Sequence, residues 1–387
     1  MHTVIVGGGF GGIKTAIELG KRQIGKVTLI SDKPYFLHHA TLYATATGKS
    51  TEESVVPLNT LLARYPNIEI VEDSITHVEP HRHLIRSDKR TYHYDKLVLA
   101  LGSVTSFRGI KGVEKHSYGI KTLEEVREFQ DHIHEAVVKR KLDKQYFVIG
   151  GGLSGIEMAS SLNEYLASLV SVYRLKNVHP KVTLVEAAPR LVPLMSKTAS
   201  RKIKHELTKQ GIRVRCNKKV TALNSSTIQL DGTSYPTETA IWTSGAANNP
   251  FFTENKDSFE RTQNGRVVVN PYLEANEDIY VIGDNNNVRY SGMALPAMRQ
   301  AKWTAKNIVR LASGRRQKRF KPHSVPAGVP AGSRWGYVEW FGIYQAGALG
   351  HTFRRWMELY GYCKLMPYRE ALPIWRSHDV SDVDDRF

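Results

Sequence analysis

The sequence predicts an α/β protein with two Rossmann-like dinucleotide-binding domains and a small C-terminal membrane-association region. Three observations predict it. Residues 4–16 read VIVGGGFGGIKTA and residues 147–159 read FVIGGGLSGIEMA, so G-x-G-x-x-G occurs twice. Each copy sits between a short β-branched run and a helical stretch, the context that raises this pattern above a chance match. Apolar strands then alternate with helical segments, as in parallel sheets covered on both faces.

The chain has 387 residues, which suits two or three domains. Its composition, 41% hydrophobic and 24% charged, argues against disorder. Two cysteines, Cys216 and Cys363, exclude a disulfide framework and a C-x-x-C redox or metal pair, and no metal is expected. HTVIVGGG at the start lacks the basic and apolar regions of a secretory signal. No run approaches the ~18 apolar residues of a membrane-spanning helix.

The elements follow in order. TVIV (3–6) is a strand, Gly12 to about Arg22 a helix, and KVTLIS (26–31) the next strand. YDKLVLALGS (94–103) is an apolar strand ending in a glycine turn. Residues 122–141 read as a helix that Thr122 and Glu125 open with a capping box. QYFVIGGG begins the second unit, with a helix from about Ser154 to Leu169 and a strand at VTLVEA (182–187). AIWTSGA and IYVIGDNNNV are two further buried strands. From about Lys321 the chain turns rich in Pro and Gly, which confines any strand there to an edge. The reading divides the chain into a first dinucleotide-domain segment (1–117), a second dinucleotide domain (118–250), a returning segment of the first (251–325) and a C-terminal region (326–387).

The glycines predict the chemistry. The first permits a tight turn, the second admits a pyrophosphate to the backbone, and the third lets the helix pack on its strand. The phosphates then meet unpaired N–H groups at a helix N-terminus. An acid ending the second strand binds ribose hydroxyls, and Glu186 holds that place in the second unit. A carboxylate there favours NADH and repels the 2′-phosphate of NADPH. Ser31 holds the matching place in the first unit, with Asp32 next to it. Two dinucleotides on one chain suggest a retained electron carrier and an exchanging donor, with FAD and NADH the natural pair. Hydride transfer between stacked rings rests on positioning rather than on an acid–base triad, and no triad is evident.

These motifs, in this order, resemble the two-dinucleotide-binding-domain flavoproteins of the pyridine nucleotide-disulfide oxidoreductase superfamily. Among these the sequence is most similar to type II NADH dehydrogenases, the single-subunit NADH:quinone oxidoreductases. VTLISDKPYFLHHATLYATATG, GGGLSGIEMA, VTLVEAAPRLVP, AIWTSGAANNP and IYVIGD carry the resemblance, which runs from residue 3 to about 310. It implies that Gly7, Gly9, Phe10, Gly11 and Gly12 hold the FAD pyrophosphate, that Ser31, Asp32 or Lys33 faces the adenosine ribose, and Ile75 the adenine. It places Leu101, Gly102, Asp284, Leu295 and Pro296 along the rest of the flavin cofactor, and His38 and His39 near its ring. Gly150, Gly152, Ser154, Gly155, Glu157, Glu186, Ser244 and Gly245 would line the NADH site. Glu157, Arg299, Gln300 and His39 are the candidates for the reacting centre.

Two positions depart from the family. Ser31 stands where the family has an acid, and the two quinone-side glutamines fall on Leu295 and Arg299. Quinone is the expected acceptor. Oxygen or a small electron-transfer protein remains open, as does an NADH-sensing interaction module with slow turnover.

Residues 301–376 hold fourteen Lys and Arg against three acids, so most of the total charge of +17 gathers here. Leu349, Phe353, Trp356, Met357 and Tyr360 share one helical face, with Arg354, Arg355 and Glu358 off it. Aromatic residues beside basic ones suit an anionic membrane surface. The expected location is therefore peripheral, on the cytoplasmic side of the cell membrane. Packing of this face on the body or in a homodimer is the alternative. No nucleic-acid-binding motif is present. The ending DVSDVDDRF reads as a solvated acidic tail.

Overall fold

The fold is that of a computed structural model, which describes residues 1–142 and 145–380. Strand β1 (His2–Val6) leads through the first glycine turn into helix α1 (Phe10–Gly20). β2 (Lys26–Ser31), β3 (Ile68–Glu72) and β4 (Lys96–Leu99) then pair in parallel around β1. Val4, Ile5, Leu29, Leu97 and Val98 are buried, as expected for strands covered on both faces.

Helix α2 (Leu123–Val138) opens with the predicted capping box, Thr122 accepting from the Glu125 amide and Glu125 from the Thr122 amide. It ends before Lys139, earlier than the reading to 141, and Arg140 is left-handed at φ 52°. The second unit repeats the first. β5 (Gln145–Ile149), helix α3 (Leu153–Val172), β6 (Lys181–Val185), helix α4 (Lys197–Lys209), β7 (Arg213–Arg215) and β8 (Thr239–Trp242) form a four-stranded parallel sheet in the order β7-β6-β5-β8. Both glycine-turn helices begin earlier than the sequence predicts. Gly9 and Gly152 serve as extended N-caps, so the helix starts directly after the second glycine of each motif.

The chain returns to the first sheet with β9 (Glu274–Asn276) and β10 (Ile279–Val281), completing the order β9-β10-β4-β1-β2-β3. Residues 1–117 and 251–325 thus contribute strands to one sheet. Helix α5 (Ala294–Ala312) packs along α1. A short antiparallel pair, Ser103–Thr105 with Ala246–Asn248, ties the two sheets together.

The C-terminal region is a three-stranded antiparallel sheet, β11 (Ala327–Pro330), β12 (Gly336–Trp340) and β13 (Ile343–Gly347), followed by helix α6 (Ala348–Cys363). β11 takes the edge, where its proline costs no ladder bond. Helix α6 is inverted relative to an ordinary surface helix. Leu349, Phe353, Trp356 and Tyr360 are exposed, while Arg354, Arg355 and Glu358 are buried. Of the predicted apolar face, all but the half-buried Met357 is therefore turned away from the body of the chain. Residues 381–387, most of the acidic ending, lie outside the described residues. Among the described residues, no helix is long and apolar enough to cross a membrane.

Partners from distant segments satisfy the buried charges of α6. Arg354 pairs with Glu358 at 2.7 Å and with Glu157 of α3 at 3.2 Å. Arg355 binds Glu358, Glu53 at 2.6 Å and the Trp375 carbonyl at 2.6 Å. His378 closes the outer end, its Nδ1 2.5 Å from Glu53. Removing one partner of such a set leaves a charge buried and unpaired. Glu358→Ala is therefore expected to cost about 3–5 kcal/mol in urea unfolding, and a loss below ~1 kcal/mol would contradict the pairing.

Candidate functional site: two glycine cradles and a buried carboxylate

The two cradles superpose in their internal logic. Gly7 and Gly150 turn the chain at φ 115° and 120°. A Cβ on Gly12 would lie 1.9 Å from the Gly7 carbonyl oxygen, and one on Gly155 would lie 1.7 Å from that of Gly150. At these third glycines helix and strand touch, and no side chain fits. A Cβ on Gly9 or Gly152 would meet nothing within 4 Å. The second glycine of each motif thus faces open space beside a helix N-terminus, where a pyrophosphate is held. Exposed Ser154 adds a hydroxyl to the first turn of α3.

The residue ending the second strand is placed alike in both units. A Cβ on Gly8 would meet Ser31 Oγ at 2.4 Å, and one on Gly151 would meet Glu186 Cβ at 2.8 Å. Ser31 and Glu186 are structural equivalents. The Glu186 carboxylate accepts from the Gly151 amide at 2.5 Å and the Ala188 amide at 2.6 Å, which fixes it beside the turn. Ser31 is buried and accepts from the Lys33 amide at 3.3 Å. Lys33 turns outward to Glu124 at 2.8 Å, and Asp32 is exposed. Ile75 is buried with Val6 and Ile30 behind the first cradle.

Opposite the first cradle, Leu101 and Gly102 leave β4. Asn285 clamps Gly102, its side chain accepting from the Gly102 amide at 3.0 Å and donating to the Gly102 carbonyl at 2.7 Å. It also donates to Asn248 at 2.7 Å. Asp284 is thereby held at the mouth, where Ser103 donates to it at 3.1 Å. Ser244 and Gly245 leave β8 in the corresponding place. A Cβ on Gly150 would meet the Ser244 amide nitrogen at 3.0 Å, and Gly245 has φ 100°. Leu295 and the buried Pro296 open α5.

The candidate reacting residues separate. Gln300 is buried and faces the Asp284 turn. Its carbonyl oxygen accepts from the Gly283 amide and from Asn286, both at 2.8 Å, and its amide donates to Ser291 at 3.1 Å. It supports the turn and is not open to a substrate. Arg299 is exposed and donates to the Ser324 carbonyl at 3.3 Å, so the neighbouring side chain points elsewhere. His39 is open to solvent yet densely surrounded, as a side chain on a cleft wall is. Desolvation and then Lys121 lower its pKa, and Asp284 opposes them. His39, Lys121 and Asp284 thus lie near one another, and Arg299 is not among them. His38 is the structural histidine of the pair. It stacks on Tyr362 at 4.8 Å and meets the edge of Phe10 at 5.2 Å, and burial pushes its pKa down to about 3.

Glu157, in the first turns of α3, is the ionisable group that burial perturbs most tellingly. Desolvation pushes its pKa up to about 7, against the opposing pull of Arg354 and with help from Glu358. A carboxyl of this kind changes protonation near neutrality, as acid–base groups at reacting centres do. Arg354, Arg355, Glu358 and Glu53 belong to this site, and the sequence reading missed them. The only sequence signal was an Arg-Arg-x-x-Glu stripe opposite the aromatic one.

The cradles give a paired prediction. Gly9→Ala leaves thermal stability within about 1 kcal/mol of the parent and lowers flavin retention on gel filtration, because its methyl enters the open space. Gly12→Ala destabilises the chain outright, because its methyl meets backbone. Equal behaviour of the two variants would contradict this division.

The pyridine nucleotide-disulphide oxidoreductase family matches residues 1–303. The type II NADH:quinone oxidoreductase of Staphylococcus epidermidis is 28% identical over 341 residues, covering 82% of this chain and 84% of that one. NDH2 from Plasmodium falciparum, solved in complex with NADH, superposes with a TM-score of 0.88 at 15% identity over 97% of each chain. The sulfide:quinone oxidoreductase of Aquifex aeolicus superposes with a TM-score of 0.79 at 22% identity, over 96% of this chain and 92% of that one. With its two glycine cradles and this match over most of its length, the chain belongs to the pyridine nucleotide-disulphide oxidoreductase family.

Proposed function

We propose that this protein is a non-proton-pumping type II NADH:quinone oxidoreductase, an FAD enzyme seated on a membrane surface. The observation that carries the reading is the unlike chemistry of two like cradles: a carboxylate, Glu186, beside the second, and a hydroxyl, Ser31, beside the first. The relative from Staphylococcus epidermidis bears the same activity in its name.

FAD in the first cradle supplies the two-electron carrier between NADH and quinone. Gly7, Gly9, Phe10, Gly11 and Gly12 bind its pyrophosphate, Ser31 lies at the ribose and Ile75 behind the adenine. Leu101, Gly102 and Asp284 line the opposite wall, with Leu295 and Pro296 at the N-terminus of α5. Gly150, Gly152, Ser154 and Gly155 bind the NADH pyrophosphate, Glu186 its ribose hydroxyls, and Ser244 and Gly245 the nicotinamide side. NADH delivers a hydride, and quinone reduction takes two electrons and two protons, so one proton comes from solvent. Glu157, with a pKa near neutrality, and His39 on the cleft wall are the groups suited to pass it. Gln300 positions Asp284, and Arg299 has no assigned part in the chemistry.

The inverted helix α6 supports peripheral attachment. Its exposed aromatic face and the basic C-terminal region meet an anionic surface without any spanning helix.

The test is steady-state NADH oxidation by the FAD-loaded protein with a soluble quinone analogue, with oxygen alone and with NADPH as donor. The quinone rate exceeds the oxygen rate by at least ~10-fold, and NADH exceeds NADPH by a similar factor, about 1.4 kcal/mol of discrimination. Glu186→Ala narrows the donor preference mainly through KM for NADPH. A quinone rate no faster than that with oxygen would overturn the acceptor, and equal use of both donors would overturn the role of Glu186.

A further inference from the structure

A cleft outside both cradles lies between α4 and the β12–β13 hairpin. It has a volume of about 350 Å³ and is lined by Arg201, Lys202, His205, Glu206, Trp335 and Ala346. Ser196, the N-cap of α4, anchors the helix to the hairpin by donating to Glu339 at 2.6 Å. Glu339 pairs across the hairpin with Tyr344.

The cleft is basic. Helix α4 carries Lys197, Arg201, Lys202, Lys204 and Lys209 against one acid, Glu206. Among the described residues, neither Arg201 nor Lys202 has a carboxylate within ion-pair distance. Glu206 is engaged by Gln210, which donates to it at 3.2 Å. Lys202 sits 5.4 Å from the centre of the Tyr344 ring, which stacks on Tyr337. An aromatic wall thus orients one cation, and the other stands free beside it.

The tip of the hairpin beyond the cleft is apolar and exposed. There Trp340 pairs with Ile343, and Phe341 and Ile343 are 77% and 79% exposed. The cleft residue Ala346 is three positions from Ile343 on the same strand, a span of about 10 Å at the usual strand rise. That exceeds the polar headgroup layer, about 5–8 Å on each side of a bilayer's hydrocarbon core, by a few Å. With the strand upright and the tip inserted a few Å below the hydrocarbon boundary, the cleft comes to the level of the lipid headgroups.

We propose that this cleft is a binding site for the phosphodiester headgroup of an anionic membrane lipid. The proposal rests on the reading that the C-terminal region meets a membrane, and it adds the NADH domain to that contact through α4. The lipid fixes the orientation of the enzyme on the bilayer, with Trp340, Phe341 and Ile343 inserted and the phosphate held between Arg201 and Lys202.

The test uses the FAD-loaded full chain and sedimentation with phosphatidylcholine vesicles, with and without phosphatidylglycerol. The parent protein binds the phosphatidylglycerol vesicles more tightly. Arg201→Gln with Lys202→Gln lowers that affinity by about 10-fold or more, at unchanged melting temperature, and removes the preference over phosphatidylcholine. A charge-matched exposed pair outside the cleft, Lys89→Gln with Arg90→Gln in the turn between the strands Leu84–Ser87 and Thr91–His93, lowers it by less than about 3-fold. Equal losses for the two pairs would assign binding to diffuse charge and overturn the cleft, leaving membrane attachment intact. Absence of vesicle binding by the parent protein would overturn both. Loss of self-association, rather than vesicle binding, in the Arg201/Lys202 variant would assign the cleft to a second copy of the chain and overturn the lipid.

Discussion

The buried charge set of Glu157, Arg354, Glu358, Arg355 and Glu53 is the constraint on which the site and its C-terminal cover both depend. It joins three distant parts of the chain: α3 at the second cradle, the short helical turn Thr51–Glu53, and helix α6. Three carboxylates face two guanidiniums, with His378 at the outer end. Such a set is costly to bury and worth little as net stability, yet it is severe on any geometry that leaves a member unpaired. It therefore specifies how α6 sits. The charged stripe is drawn inward to Glu157 and Glu53, and the aromatic stripe is left outside.

Two consequences meet in that arrangement. The aromatic face of α6 and the β12–β13 tip are each apolar and exposed, the kind of surface that water covers at a cost and a membrane interface covers readily. The same helix contributes the cation that borders Glu157. The group whose protonation changes near neutrality is thus held by the element that would touch the bilayer. Tyr362 adds a second tie, stacking on His38 behind Phe10 of the first cradle.

Much of the fold was legible because its signals are local. The glycine turns, the strands around them and the Thr122–Glu125 capping box each follow from residues within one short segment. Helix starts were misread by two residues at α1 because Gly9 acts as an N-cap, a role that depends on backbone angles. The site was legible only in part. Glu186 and Ser31 follow from strand ends. Gln300 looked like a reacting residue in sequence, but the Gly283 amide and Asn286 occupy it. Arg354 and Glu358 were invisible as site residues because the apolar stripe of a surface helix ordinarily faces inward. Their inward turn is decided by Glu157, nearly two hundred residues away in sequence.

On the proposed function, two like cradles hold unlike dinucleotides, a retained flavin and an exchanging NADH. Anaerobic titration of the FAD-loaded protein, followed by flavin absorbance, tests it most directly. One equivalent of NADH is expected to bleach the flavin fully and NADPH to bleach it slowly, and one equivalent of quinone analogue to restore the oxidised spectrum. A flavin that NADH leaves oxidised, or that stays reduced in the presence of quinone, would contradict it.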